Sequence, residues 1–225
     1  DADKVNYTVE HLVEKLDGSY ELYDRQAFTS DTDSQVTPDV KYMEGFSSPE
    51  TETAIVKGDG STVIRYFYKR NVHRFVLKLN NGQSDAVYDY KYGTKINIIN
   101  PERTGYTFTG WSGTGIDGTA MDPVITTGST GNRSYTANWK ENSYVIRFIP
   151  YGDGTTGSMQ DMQLMYTDEA ALSANQFKRT GYTFAGWTKK AGADKLYDDN
   201  EVISGLGTAD NEIITLYPAW TANEY

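Results

Sequence analysis

The sequence predicts a β-rich α+β fold divided into three small modules, and three observations carry that expectation. The chain holds 18 Tyr, 8 Phe and 4 Trp among frequent Thr, Val and Ile, residue types that suit a pleated, half-buried surface, and 21 Gly to turn the chain between strands. A nine-residue stretch, Arg103-Thr104-Gly105-Tyr106-Thr107-Phe108-Thr109-Gly110-Trp111, returns as Arg179-Thr180-Gly181-Tyr182-Thr183-Phe184-Ala185-Gly186-Trp187 with one change. Each copy is preceded by an alternating apolar run and a Gly-rich turn, which is a hairpin signal.

The elements follow in order. In residues 1–71, Tyr7 to Glu14 and Tyr20 to Phe28 read as strands joined by an Asp17-Gly18 turn, with a third strand from Val63 to Tyr68. A short helix is expected from Pro38 to Glu44, capped by Thr37, begun by Pro38 and ended by Gly45, and this helix supplies the α part of the fold class. Residues 72–141 open on Phe75-Val76-Leu77-Lys78-Leu79 with a turn at Asn80-Asn81-Gly82, and close on Tyr135-Thr136-Ala137-Asn138-Trp139. Residues 142–225 open on Val145-Ile146-Arg147-Phe148-Ile149 with a turn at Gly152-Asp153-Gly154, and close on Leu216-Tyr217-Pro218-Ala219-Trp220. Pro218 has no N–H for a ladder, so the closing strand should be an edge or bulged there. The joints near Asn71 and Asn142 carry no Pro/Ser-rich linker and read as stiff, so the modules should lie end to end. Three modules in line would have a radius of gyration of about 27 Å, against about 17 Å for one compact body.

Within the repeated stretch, Tyr106, Phe108 and Gly110 share one parity while Thr107, Thr109 and Trp111 share the other. A plain strand would divide the aromatics between two faces. The glycines Gly105 and Gly110, with Gly181 and Gly186, should therefore mark a bend that brings Tyr106, Phe108 and Trp111, and likewise Tyr182, Phe184 and Trp187, onto one core. A module of about 70 residues needs such large apolar groups to fold alone, so a structural role for Trp111 and Trp187 outweighs a ligand platform. Trp139 and Trp220 receive the same reading.

Composition excludes several functions. With 21 Lys plus Arg against 31 Asp plus Glu, the net charge of −10 argues against nucleic acid and against an anionic membrane surface. The acidity is uneven, −6 over 1–71, +1 over 72–141 and −5 over 142–225, and identifies no binding face. The absence of Cys removes disulfides, thiolate metal sites and a cysteine nucleophile. No apolar run reaches membrane-spanning length, and the ends, Asp1-Ala2-Asp3-Lys4 and Thr221-Ala222-Asn223-Glu224-Tyr225, read as those of a segment of a longer protein.

Catalytic and metal motifs fare no better. His11 and His73 fall in different modules, which leaves no single-module triad or multi-histidine zinc site. Gly113-Thr114-Gly115-Ile116-Asp117-Gly118 matches a dinucleotide fingerprint in letters, but neither the preceding strand nor the following helix is indicated, so a loop is expected. Asp31, Asp33, Asp198, Asp199 and Glu201 lack the spacing of a calcium loop, and no two acids are placed across a cleft for glycosidase work. No cofactor, metal or catalytic residue is expected.

With these residues in view, 72–222 resembles two tandem Listeria-Bacteroides repeats, also called internalin B-type repeats, whose signature is R-x-G-Y-x-F-x-G-W followed by a closing Y-A-x-W strand. The signature residues are Gly105, Tyr106, Phe108, Gly110, Trp111 and Trp139, then Gly181, Tyr182, Phe184, Gly186, Trp187 and Trp220. Residues 7–71 are similar to the mucin-binding-protein-like repeats of Gram-positive surface proteins, on Tyr7-Thr8-Val9-Glu10-His11, Asp17-Gly18-Ser19-Tyr20 and Asp59-Gly60-Ser61-Thr62-Val63. The resemblance implies β-grasp-like (ubiquitin-like) modules in an elongated tandem array, on an extracellular or wall-anchored adhesin. They would act as stalk or as binding unit for host glycan, mucin or matrix protein. The other class it implies is an ancillary region of a large secreted or wall-anchored hydrolase. The expectation that no metal holds the fold has a direct check: a chelator should leave the melting temperature unchanged, because an ion bound only to the native state would raise it.

Overall fold

A computed structural model describes residues 3–224; Asp1, Ala2 and Tyr225, read above as chain ends, lie outside the described residues. By density of contacts the chain separates into two compact units. One runs to Leu79 and takes in Gln83–Ile99 and Trp111–Thr136; the other comprises Asn80–Gly82, Asn100–Gly110 and everything from Ala137 onward.

Three four-stranded sheets carry the architecture. The first is formed by β1 (Lys4–Glu14), β2 (Tyr20–Asp31), β3 (Phe46–Ser47) and β4 (Val63–Arg70) in the order β2-β1-β4-β3. The second contains β5 (Val72–Lys78), β6 (Ala86–Lys91), β7 (Tyr106–Gly113) and β8 (Arg133–Glu141), ordered β6-β5-β8-β7. The third contains β9 (Ser143–Phe148), β10 (Met162–Met165), β11 (Tyr182–Thr188) and β12 (Glu212–Ala222), ordered β10-β9-β12-β11. All three share one plan: the first strand pairs antiparallel with the second and parallel with the last.

The first sheet shows how sequence fixes this. At the Asp17-Gly18 turn, Lys15 N donates to Ser19 O (2.7 Å), and Asp17 Oδ1 accepts from Ser19 N (2.9 Å) and Ser19 Oγ (2.6 Å). On one face Tyr7, Val9, Val13, Val56, Ile64, Tyr66 and Tyr68 form the core. On the other, Glu10 of β1 stands beside Arg25 of β2 and Arg65 of β4, accepting from Arg25 Nη2 (2.6 Å) and Arg65 Nε (2.7 Å). A one-residue slip would put the carboxylate into the core and the valines into water, so this triad and the apolar pattern select the same register.

The α part of the expected fold class is overturned. No helix occurs among the described residues, and 38–44 is irregular backbone. Tertiary contacts outcompete the local helix signals. Tyr66 Oη donates to Pro38 O (2.6 Å), Lys41 N donates to Tyr68 Oη (2.8 Å), and Val40 and Met43 pack against the core. Both tyrosines are fully buried and need partners for their hydroxyls, which the backbone of this segment supplies. Thr37 Oγ1 meets Thr53 Oγ1 (2.8 Å) instead of capping a helix. The fold is all-β and β-rich.

Two local readings are refined. The turn at Gly152–Gly154 does not lead straight to the partner of β9; it enters the short strand Thr155–Thr156, which pairs with Lys178–Arg179, while β9 pairs with β10. Pro218 falls where β12 has passed beyond its pairing with β9, which ends at Leu216, so its missing N–H breaks no rung on that side. The irregularity lies in the facing strand β11, between Phe184 and Gly186.

Glu10 gives the fold a pH dependence. The hydrogen bond from Arg25 is the largest influence on its carboxyl and, with Arg65, outweighs desolvation and holds the pKa below the usual 4.5. A folded pKa below the unfolded one stabilises at pH above the unfolded value, and that stability is lost as pH falls through the folded value. Acid melts of the chain should therefore show stability falling below about pH 4.5, and Glu10→Gln should be less stable at neutral pH and lose less on acidification.

Candidate functional site

The repeated nine-residue stretch opens β7 and β11 and is the best-built feature of the molecule. In β11, Phe184 faces Trp220 while Gly186 faces Ala219, so Ala185 is an extra residue in the strand. This bulge resets the alternation and places Phe184 and Trp187, three apart, on one face. Their rings meet at 4.9 Å, with Phe148 at 4.7 Å and Phe177 at 6.1 Å from Trp187, and Trp220 at 5.8 Å from Phe184. Gly186 has φ +145°, and a Cβ there would collide with Tyr197 O, because Trp187 exchanges backbone hydrogen bonds with Tyr197 (2.8 and 3.0 Å). Only glycine fits.

The other copy follows the same plan. Gly110 has φ +120°, Trp111 exchanges backbone bonds with Ala120 (2.8 and 2.9 Å), and Phe108 meets Trp139 edge-on at 5.4 Å. Trp111 and Trp187 are both fully buried. Trp139 and Trp220 are half-buried. Tyr106 and Tyr182 do not join these cores; each lies beneath the guanidinium of the arginine three residues earlier, Arg103 at 3.6 Å and Arg179 at 3.7 Å from the ring centre.

Gly105 and Gly181 serve a different contact, which sequence reasoning missed. Gly105 has φ +76°, its carbonyl accepts from Asn142 N (2.9 Å), and Thr107 Oγ1 donates to Asn142 Oδ1 (2.6 Å). Gly181 has φ +78°, its carbonyl accepts from Asn223 N (2.9 Å), and Thr183 Oγ1 donates to Asn223 Oδ1 (2.7 Å). The first sheet, of unrelated sequence, repeats the arrangement: Gly45 O accepts from Asn71 N (2.9 Å), and Ser47 Oγ donates to Asn71 Oδ1 (2.6 Å). The signal available in the sequence is an Asn at each joint together with Gly-aromatic-Ser/Thr earlier in the same segment.

The two histidines have separate surroundings. His11 sits in the first core, its Nδ1 2.8 Å from Tyr68 Oη, and His73 lies against Tyr90 at 5.6 Å. No group of three or more His, Asp or Glu that could hold a metal ion occurs among the described residues. The acidic residues are engaged within the chain: Asp31 pairs with Lys4 (3.0 Å), Asp199 accepts from Asn175 N (2.9 Å), and Glu201 accepts from Asp198 N (2.6 Å). The Gly113–Gly118 stretch begins on the last residue of β7, so a strand does precede it, against expectation; it then turns toward Ala120, with no helix after it. A shallow, open cleft of about 400 Å³ lies beside Arg103, Tyr106, Phe108 and Trp139.

An all-β chain with a recurring sheet plan and a recurring aromatic strand, in which a buried Trp follows a positive-φ Gly, is a repeat protein. Comparison with known families makes this specific: residues 144–217 match the Listeria-Bacteroides repeat domain, and residues 76–143 match the divergent InlB B-repeat domain. Repeats of this kind are found in extracellular and surface proteins. No curated protein matches the chain.

Truncating either buried tryptophan should unfold its own repeat. Trp111→Ala or Trp187→Ala should cost about 3 to 5 kcal/mol, a large share of the stability of a small domain. Chemical denaturation followed by circular dichroism reads this directly, and unchanged melting combined with loss of a binding activity would contradict it.

Proposed function

We propose that this chain is a non-catalytic repeat segment of a Gram-positive cell-surface adhesin, acting as a stalk whose modules, 1–71, 72–141 and 142–225, hold a distal binding region away from the wall. Each module is read as a β-grasp-like sheet in which an irregular segment has replaced the helix. Residues 1–71, with their likeness to mucin-binding repeats, are the part to test for host glycan, mucin or matrix-protein binding.

The observation that carries the stalk reading is the construction of the joints. A single residue, Asn71 or Asn142, separates the last strand of one sheet from the first strand of the next. Both backbone groups of each joint residue are bonded: Asn71 N to Gly45 O and Tyr92 N to Asn71 O (2.9 Å each), then Asn142 N to Gly105 O and Tyr166 N to Asn142 O (2.9 Å each). Ion pairs flank them, Lys91 to Glu14 (2.7 Å) near Asn71 and Lys140 to Asp210 (2.8 Å) near Asn142. A joint with no free peptide group resists bending far better than a solvated linker of Gly and Ser. Supporting it, the signature tryptophans Trp111 and Trp187 are enclosed in cores and leave no ring for a ligand.

Small-angle scattering tests the reading. The stalk requires a radius of gyration near 27 Å, and a value below about 20 Å would remove its physical basis.

A further inference from the structure

The three Gly-Asn locks differ in one respect. At Gly45 and Gly105 the open side of the glycine is covered by a tyrosine from the strand pair that follows the joint. A Cβ on Gly45 would be driven into the ring of Tyr92, and one on Gly105 into the ring of Tyr166. Both tyrosines stand at the end of the second strand of the next sheet, just after β6 and β10, and both donate their N–H to the joint Asn carbonyl. Each also covers the aromatic residue after the glycine, Phe46 against Tyr92 at 5.8 Å and 69°, Tyr106 against Tyr166 at 6.1 Å and 70°. At Gly181 nothing among the described residues lies within 4 Å of the same position. Gly45 and Gly105 are buried and Gly181 is not; Phe46 and Tyr106 are half-buried and Tyr182 is 37 % exposed; Asn142 is buried and Asn223 exposed.

We propose that Gly181, Tyr182, Thr183 and Asn223 form a docking notch for the tyrosine that ends the second strand of a further repeat of the same type, joined directly after Asn223. The notch is already set. The glycine holds φ +78°, beside +80° and +76° at Gly45 and Gly105, the Asn223 amide is locked to Gly181 O, and the Thr183 hydroxyl fixes the Asn223 side chain. Apart from its positive φ, no described residue crowds a Cβ at 181, whereas an incoming ring would. An aromatic side chain arriving with a backbone N–H beside it matches both the cleared space over Gly181 and the carbonyl of Asn223, as it does at the two filled joints. The inference stands on these contacts alone and holds whether the parent is an adhesin or a hydrolase.

The test uses the full chain and a version in which residues 143–222 are appended directly after Asn223, which places a copy of Tyr166 at the spacing it keeps from Asn142. In the chain as it stands, Gly181→Ala meets only the positive φ, so it should lower the melting temperature of its repeat less than Gly105→Ala does. In the extended chain the two losses should become equal, and nitration of Tyr182 should slow several-fold, to the rate of Tyr106. Replacing the appended tyrosine with Ala should reverse both changes. An internal variant needs no extension: Tyr166→Ala should reduce the loss caused by Gly105→Ala to that caused by Gly181→Ala. If Gly181→Ala costs the same with and without the appended repeat, with Tyr182 nitrated equally fast in both, the notch is not a docking site. If Tyr166→Ala leaves the cost of Gly105→Ala unchanged, its premise fails.

Discussion

The parallel pairing of the first and last strands of each sheet is the constraint on which the rest depends. β1 with β4, β5 with β8 and β9 with β12 are each separated by more than forty residues of chain, yet they lie side by side and fix where everything between them must go. A parallel pair cannot be joined by a tight turn, so the chain must leave one end of the sheet and cross back to the opposite end before the last strand begins. In many proteins a helix makes that return. Here loops and two-residue ladders make it, and their backbone groups are satisfied by side chains such as Tyr66 and Tyr68. The aromatic content of the sequence follows from this: buried hydroxyls and large rings replace what a helix would have supplied in packing and hydrogen bonding.

Much of this was legible in the sequence, for identifiable reasons. The long strands near Tyr7, Tyr20 and Val63 are rich in Tyr, Val and Phe, and the first two are joined by an Asp-Gly turn; those signals depend only on neighbours. The bend in R-T-G-Y-T-F-x-G-W followed from the parity of its aromatics, and the bulge at Ala185 is its physical form. The helix over 38–44 misled because Thr37, Pro38 and Gly45 are local signals, whereas the hydroxyls that pull that backbone out of a helix come from Tyr66 and Tyr68, more than twenty residues away. Tyr106 and Tyr182 share parity with Phe108 and Phe184 and so look like core; the arginine three residues earlier, which lies over the face of each ring, has no signature in alternation.

The joints show the same limit. Asn71 and Asn142 were recognisable as places where strand patterns meet, but their bonding partners, Gly45 with Tyr92 and Gly105 with Tyr166, are distant in sequence and converge only through the sheet topology. That a first segment of unrelated sequence uses the same Gly-Asn-Tyr contact as the repeat-type joint indicates that the contact is selected for what it does at a joint, independent of the core behind it.

Parallel first and last strands also decide how such a sheet would carry tension. The chain enters each sheet at the beginning of one central strand and leaves at the far end of its neighbour. A pull between those two points runs along the ladder, so the rungs between Val145 and Ile213 or Phe148 and Leu216 are loaded together in shear and cannot be opened one at a time like a zip. Forced unfolding is governed by the barrier to the first rupture, and a shared load raises that barrier without adding to equilibrium stability. A polypeptide of only modest thermodynamic stability can in this way be a strong tether.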